Sequence, residues 1–310
     1  MREVDLSHAL FGNVAGPPDQ RPRVVMTLLV RDEIDVVRSH LDFHLALGVH
    51  SFVVTDHLSR DGTQDVLAEY ESAGVLTLYR EDEDIYDQTR WVTRMARTAA
   101  LHHGASWVIN ADADEFWTPV ADTDLPTLFA ALPPSIGRVK TWRYNFVPRP
   151  VDDDAHFAER MLWRQVESAT WDGKPMGPKV CHRATPDVDI PMGNHDAFGV
   201  PGGVHEDRIL DVLHYPYRSP SQLRQKINVG VQAVRQTAGF DDNVCWHWRE
   251  LEGQVADDSG WRAMCIDDAM LETRLDGDLI EDRRVQRILD TRGVLARSDP
   301  SPSPPSLSRT

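Results

Sequence analysis

Between residues 24 and 117 short apolar runs alternate with stretches whose apolar residues recur at helical spacing, and this alternation commits the chain to an α/β fold on a parallel sheet. Val24 to Val30 reads as a buried strand, and Ile34, Val37, Leu41 and Leu45 form the stripe of a helix ended by Gly48. Ser51 to Thr55 is a second strand, followed by Val66, Leu67, Tyr70 and Ala73 on a helix that stops at Gly74. Asp61-Gly62-Thr63, just before it, reads as a turn and helix start in which glycine supplies backbone freedom and Thr63 is a candidate cap. Val75 to Tyr79 is a third strand, and a helix from about Asp87 to His103 leads to a fourth over residues 106–111. Sheets of this kind bind ligands beyond the carboxyl ends of their strands. Polar clusters stand there: Arg31-Asp32-Glu33 after the first strand, Asp56 after the second, and Asp112-Ala113-Asp114-Glu115 after the fourth.

Beyond residue 118 the pattern is mixed. It predicts a short helix around Leu125 to Leu132, strands over Val139 to Val147 and Ile209 to His214, and a helix from about Ser221 carrying Leu223, Ile227, Val231 and Val234 on one face. The Pro/Ser-rich end, SDPSPSPPSLSRT, reads as disordered. The expected division is an N-terminal tail over 1–22, two halves of one α/β domain over 23–117 and 118–240, a helical extension over 241–292, and a disordered tail over 293–310.

A net charge of -16 disfavours attraction to nucleic acid or an anionic membrane surface. The N-terminus lacks a basic start followed by an apolar run, and no stretch approaches the roughly 18 apolar residues of a membrane span. Cys181, Cys245 and Cys265 make no CxxC pair, which points away from a disulfide framework or structural zinc and toward a reducing cytoplasm.

Asp112 and Asp114 flank one small residue at the end of an apolar strand, so alternation turns both carboxylates the same way at the sheet rim. Oxygen ligands of this type suit Mg2+ or Mn2+, which keep coordination positions open for phosphate oxygens. Asp152-Asp153-Asp154 has no strand before it and reads as a solvated loop. On the preceding helix Arg90, Arg94 and Arg97 lie on neighbouring turns. Arg94 is the candidate to reach a diphosphate, while a solvated basic face explains the three equally well.

Taken together, Val30-Arg31-Asp32-Glu33, His44-Leu45-Ala46-Leu47-Gly48-Val49, Asp56-His57-Leu58-Ser59-Arg60-Asp61-Gly62-Thr63 and Trp107 to Phe116 (WVINADADEF) resemble the family-two-like glycosyltransferases of GT-A fold, in particular the bacterial Asp-x-Asp-Glu-Phe branch. The resemblance covers about residues 24 to 230. One departure is Asp32, where that family often has Asn. It implies a Rossmann-like, mostly parallel central sheet flanked by helices, a nucleotide-binding first half and an acceptor-binding second half.

The activity so implied is divalent-metal-dependent transfer of a hexose from a nucleotide-diphosphate sugar to a hydroxyl of a glycan or small natural product. Carried over by position, Arg31 and Glu33 border the nucleobase pocket, Asp56 contacts the nucleoside, Asp112 faces ribose and metal, and Asp114 coordinates the metal. His214 completes the metal shell, with Arg218 and Lys226 as diphosphate contacts. An inverting reaction needs a carboxylate to take the acceptor proton. Asp196 is the leading candidate, oriented by His195, with Glu206 and Asp207 as competitors. Lys179 reads either as a phosphate-neutralising residue on an edge strand or as a surface lysine. Trp142, Trp163, Trp171, Trp246 and Trp248 are candidates for stacking on a sugar, although most belong to the core. Two alternatives remain open at this level: nucleotidyl transfer, which lacks its Gly-rich triphosphate cradle here, and nucleotide-sugar binding without turnover.

Overall fold

Strand β1 (Val24–Val30) alternates its side chains between two cores, and that alternation decides where the helices sit. Val24, Met26, Leu28 and Val30 pack with residues of α1 (Val37–Ala46) and α2 (Thr63–Ser72), while Val25 packs with Val92, Met95, Ala96 and Ala99 of α3 (Gln88–His102). Burial of each such large aliphatic side chain contributes roughly 1.5–3 kcal/mol. Helices therefore cover both faces, as a parallel sheet buried on both sides requires. The computed structural model describes residues 21–83, 85–150, 155–170, 173–236, 258–274 and 277–295, with backbone alone for 232–236. The Asp152 to Asp154 loop, Trp171, Trp246, Trp248, Cys245 and nearly all of both tails lie outside the described residues, as does the start of the expected extension.

β1 pairs in parallel with β2 (Ser51–His57) on one side and β4 (Trp107–Asp112) on the other, and β2 pairs with β3 (Leu76–Glu81). The strand order is thus 3-2-1-4, with the direction of winding reversing between β1 and β4. A crevice opens at the carboxyl ends of such a reversal. The register sets Leu29 opposite Asp112 and Val30 opposite Asp56, so all three polar clusters meet there.

Beyond β4 the sheet continues as β8 (Lys179–Arg183), β6 (Ile136–Asn145), β10 (Leu210–His214) and β5 (Glu115–Pro119), with β9 (Gly203–His205) on β6. β8 runs antiparallel to both β4 and β6 and joins the two halves, so it is an interior strand and not the edge strand expected. The α/β class, with a central sheet flanked by helices, is the one expected.

Two local differences have clear causes. Ile34 stands outside α1 and is 41% exposed, because the backbone before the helix is tied to the next loop: Glu33 N–H donates to Thr63 Oγ1 and Ile34 N–H to Asp61 Oδ2. β2 runs on to His57, so Asp56 lies within the strand and is buried. Gly62 enters α2 at φ +104°, the left-handed freedom expected of it.

Short helices α4 (Leu125–Ala130) and α5 (Phe157–Arg160) precede β7 (Trp163–Gln165), and α6 (Pro220–Gln236) follows β10. The described part of the extension holds α7 (Ser259–Met264), α8 (Asp268–Arg274), β11 (Leu279–Glu281) and α9 (Arg284–Thr291). It docks on the body: β11 pairs with β7, Val285 and Leu289 enter the main core, and Asp282 bonds Arg164 at 2.8 Å. Among the described residues no helix is long and apolar enough to cross a membrane.

Candidate functional site

At the reversal between β1 and β4 lies a cleft of about 570 Å³, within the usual range for a small-ligand site. Arg31, Asp32 and Glu33 wall it on one side, Asp112 to Asp114 form its floor, and Lys179, His195, His214 and Lys226 come from the second half. His57, Tyr86 and Gln88 close the end nearest β2 and α3.

The two aspartates of the motif face different partners. Asp112 Oδ2 accepts from Lys179 Nζ at 2.8 Å, and the same ammonium is 2.9 Å from Glu115 Oε1. Lys179 and Glu115 are fully buried, with Arg143 3.6 Å from Glu115. Burial raises the Glu115 carboxyl to about 7 despite Lys179, whereas at Asp112 burial is outweighed by Lys179 and the pKa is lowered. Lys179 is therefore neither a surface lysine nor free for phosphate: its charge is spent on holding the motif.

Asp114 is 4% exposed and bonds Lys226 Nζ through Oδ2. Burial works against its ionisation, yet Lys226 first and Arg218 after it hold its pKa well below the usual carboxylate range. Its other oxygen, Oδ1, faces His214 Nε2 at 3.5 Å. The His214 ring is oriented from behind, where Nδ1 meets Asn145 Oδ1 at 2.7 Å. Asn145 Nδ2 donates to the Ala169 carbonyl, which can only accept, so Asn145 presents its oxygen and His214 Nδ1 carries the proton. Burial lowers the His214 pKa, although Asp114 pulls the other way. In the neutral ring Nε2 therefore presents its lone pair to Asp114 Oδ1.

That arrangement is the test of the divalent cation implied by the sequence. Two lone pairs converging across 3.5 Å repel unless a proton or a metal cation lies between them, and an imidazole whose far nitrogen is hydrogen-bonded is the usual form of a metal-ligating histidine. Among the described residues no three His, Cys, Asp or Glu side chains gather as a ready-made metal cluster. A pair still suits Mg2+ or Mn2+, which take one or two protein ligands and fill the remaining positions with phosphate oxygens and water. Asp114 and His214 fit the ion; Asp112, turned to Lys179, does not converge with them.

Other predicted residues take varied positions. Arg218 is 1% exposed and lies behind the cleft wall, where it donates to Glu33 at 2.7 Å and to both oxygens of Asp35 at 2.7 and 2.8 Å. It braces the β1 loop against the strand end that carries Asp114. Burial raises the Glu33 carboxyl to about 7, against the pull of Arg218. Asp56 lies one residue before the cleft-lining His57; Oδ2 accepts from Gln64 at 2.7 Å, and Oδ1 is buried with no hydrogen-bond partner.

Arg94 is turned away, bonded to Glu81 at 2.6 Å and stacked on Tyr79. Asp196 and Glu206 do not line the cleft: Asp196 Oδ1 faces Arg138 at 3.2 Å and Glu206 pairs with Lys140 at 2.6 Å. Each lies on the β6 side, where a counter-ion is already in place. Asn145 and Glu115 are site residues that the sequence reading did not single out in these roles. Glu115 stood in the motif itself; nothing in the pattern marked Asn145.

No protein-family model matches the chain, and no curated protein sequence does. Solved structures do: Staphylococcus aureus TarS, residues 1–349, is 12% identical, over 75% of this chain and 70% of that one, with a TM-score of 0.40. The same TarS segment has been solved with UDP-GlcNAc, again at 12% identity and a TM-score of 0.40. Glucosyl-3-phosphoglycerate synthase from Mycobacterium tuberculosis, solved with Mn2+, UDP-glucose and phosphoglyceric acid, is 16% identical over 39% of this chain and 44% of that one, with a TM-score of 0.28.

Proposed function

We propose that the cleft binds a nucleotide-diphosphate sugar and transfers the sugar to a hydroxyl acceptor. The observation that carries this reading is the facing pair of Asp114 Oδ1 and His214 Nε2 at the β1/β4 reversal. A neutral, oriented imidazole aimed at an ionised carboxylate is a site for a cation, and a parallel-sheet reversal is a site for a nucleotide. Asp56, opposite Val30 at the β1 end and behind the cleft-lining residues, keeps a buried acceptor, Oδ1, without a partner, which suits an N–H of the base or a hydroxyl of the ribose.

In this reading Asp114 and His214 would hold Mg2+ or Mn2+, whose charge offsets that of the diphosphate as it leaves. The chain's own residues do the rest. Lys226, raised in pKa by Asp114 and Glu33 against the effect of burial, keeps its ammonium charge in the cleft beside the diphosphate. Arg31 adds a second positive group to the cleft lining. Lys179 keeps Asp112 ionised on the cleft floor. The acceptor approaches from the face lined by Met192, Gly193 and His195. Transfer of the sugar forms a bond from the acceptor oxygen to the anomeric carbon and breaks the bond to the diphosphate.

Calorimetry with UDP, GDP and dTDP in the presence of Mn2+ tests the reading. The native chain is expected to bind at least one of them, and Asp114→Ala to lose most of that affinity. If the native chain binds none of the three, the reading is wrong.

A further inference from the structure

We propose that His195 Nε2 is the group that takes the proton from the acceptor hydroxyl. This rests on the transferase reading above and assigns the one role in it that the carboxylates leave unfilled.

His195 follows the short 3-10 turn Met192–Asn194, and its ring lies in the cleft wall. Nδ1 is 2.7 Å from the carbonyl oxygen of Pro178. A carbonyl only accepts, so Nδ1 carries the proton and Nε2 keeps a free lone pair. Among the described residues nothing is bonded to Nε2. The ring is fixed from both sides by backbone without side chains: a Cβ at Gly193 would come 2.6 Å from Nε2, and one at Gly177 would come 3.3 Å from Nδ1. Gly193 has φ +81°, and its N–H donates to Gln88 Oε1 at 2.9 Å, which fastens the turn to the start of α3. Both the tautomer and the direction of the lone pair are therefore set before any ligand arrives.

Position agrees with the role. Pro178, which orients the ring, is the neighbour of Lys179, whose ammonium holds Asp112 on the cleft floor. Four acidic candidates are otherwise engaged, Asp114 by Lys226, Asp112 by Lys179, Asp196 by Arg138 and Glu206 by Lys140, and Asp207 is exposed and does not line the cleft. The charged groups that act on the ring are Lys179 from β8 and Arg143 from β6, which with burial lower its pKa, and Asp112 from β4, which opposes them. The ring is neutral at neutral pH and able to accept a proton.

In the step itself the acceptor O–H proton passes to Nε2 as the acceptor oxygen bonds the anomeric carbon. The bond from that carbon to the diphosphate oxygen breaks, and its electron pair leaves with the nucleoside diphosphate. The imidazolium is held by the Pro178 carbonyl and returns its proton to solvent, to which the ring is exposed.

The test uses the full chain with Mn2+, UDP-glucose and UDP-GlcNAc as donors, and water as acceptor, with UDP release as the readout. His195→Ala and His195→Gln are expected to bind UDP within twofold of native. Their rate of UDP release is expected to fall roughly 100- to 10,000-fold, the usual contribution of a general base, and to lose the acid limb of the pH–rate profile. Added imidazole should restore part of the rate to His195→Ala. The assignment is overturned if native releases UDP and His195→Ala does so within threefold of it. It is also overturned if UDP binding is lost in parallel with rate, or if Asp196→Asn abolishes the acid limb while His195→Ala keeps it. Native protein that binds no UDP and releases none from either donor overturns the transferase reading and the assignment with it.

Discussion

His214 Nε2 and Asp114 Oδ1 face one another across 3.5 Å, the imidazole from the end of β10 and the carboxylate from the turn between β4 and β5. The contact exists because β10 pairs with β5 in a register that sets His214 opposite Glu115. Asn145, opposite His214 on β6, then decides which ring nitrogen carries the proton.

Removing that orienting contact should weaken cation binding without unfolding the chain. Asn145→Ala is expected to lower Mn2+ affinity roughly 10- to 100-fold, the usual effect of losing an outer partner of a metal-bound histidine. His214→Ala should lower it further. Titration of Mn2+ by electron paramagnetic resonance, with UDP present, gives both values. Unchanged affinity in His214→Ala means the cation is held elsewhere.

Lys179 neutralises two carboxylates from a buried position, so its loss is a stability matter first. Lys179→Met strands Glu115 beside Asp112 and is expected to cost on the order of 3–5 kcal/mol, as when one partner of a buried ion pair is removed. Adding Glu115→Gln should recover part of this, because a neutral amide needs no counter-charge. Urea unfolding of the native, single and double variants reads the coupling; strict additivity would mean that the ammonium does not act on Glu115.

The unpartnered oxygen of Asp56 predicts a base-side effect separable from the phosphates. Asp56→Asn should weaken UDP binding about tenfold, or about 1.4 kcal/mol, within the range for a hydrogen bond to a charged group. Pyrophosphate binding should not change. An equal loss for both ligands would put Asp56 on the wrong end of the nucleotide.

Asp282 ties the extension to the body through Arg164 and holds Arg284, which reaches Asp211 of β10, and its effect on stability should depend on pH. Burial acts to raise its pKa, but the bonds to Arg284 and Arg164 prevail and lower it from 3.8 to about 2. Because the folded carboxyl is the stronger acid, the unfolded chain takes up the proton first as pH falls. The stabilisation is fully present above the unfolded value and lost as pH drops from about 3.8 toward 2. Asp282→Asn should therefore be less stable than native by on the order of 2 kcal/mol at pH 7, with the gap closing in urea melts taken below pH 4.

Much of the first half was legible because its signals are local. β1 spans the predicted residues, Gly48 and Gly74 adopt the positive φ that ends a helix, and Asp112 closes a strand of buried residues. Arg94 shows where local reading fails. Helical spacing put it near the motif, but β3 brings Glu81 alongside, and a carboxylate 2.6 Å away fixes the guanidinium there. Lys179 shows it again: five residues of strand carry no mark of being interior, and only pairing with β4 and β6 together buries them.

By itself the sequence determined the alternating elements and the polar strand ends, since hydrophobic period and glycine position act over a few neighbouring residues. Only the tertiary structure decided what each carboxylate faces. The partners of Asp112, Asp114 and Glu33 come from β8, β10 and the segment entering α6. Sheet order, a sum of many weak packing contacts, sets those meetings, and at 3 Å separations it governs whether an aspartate meets a lysine, an imidazole lone pair or a ligand.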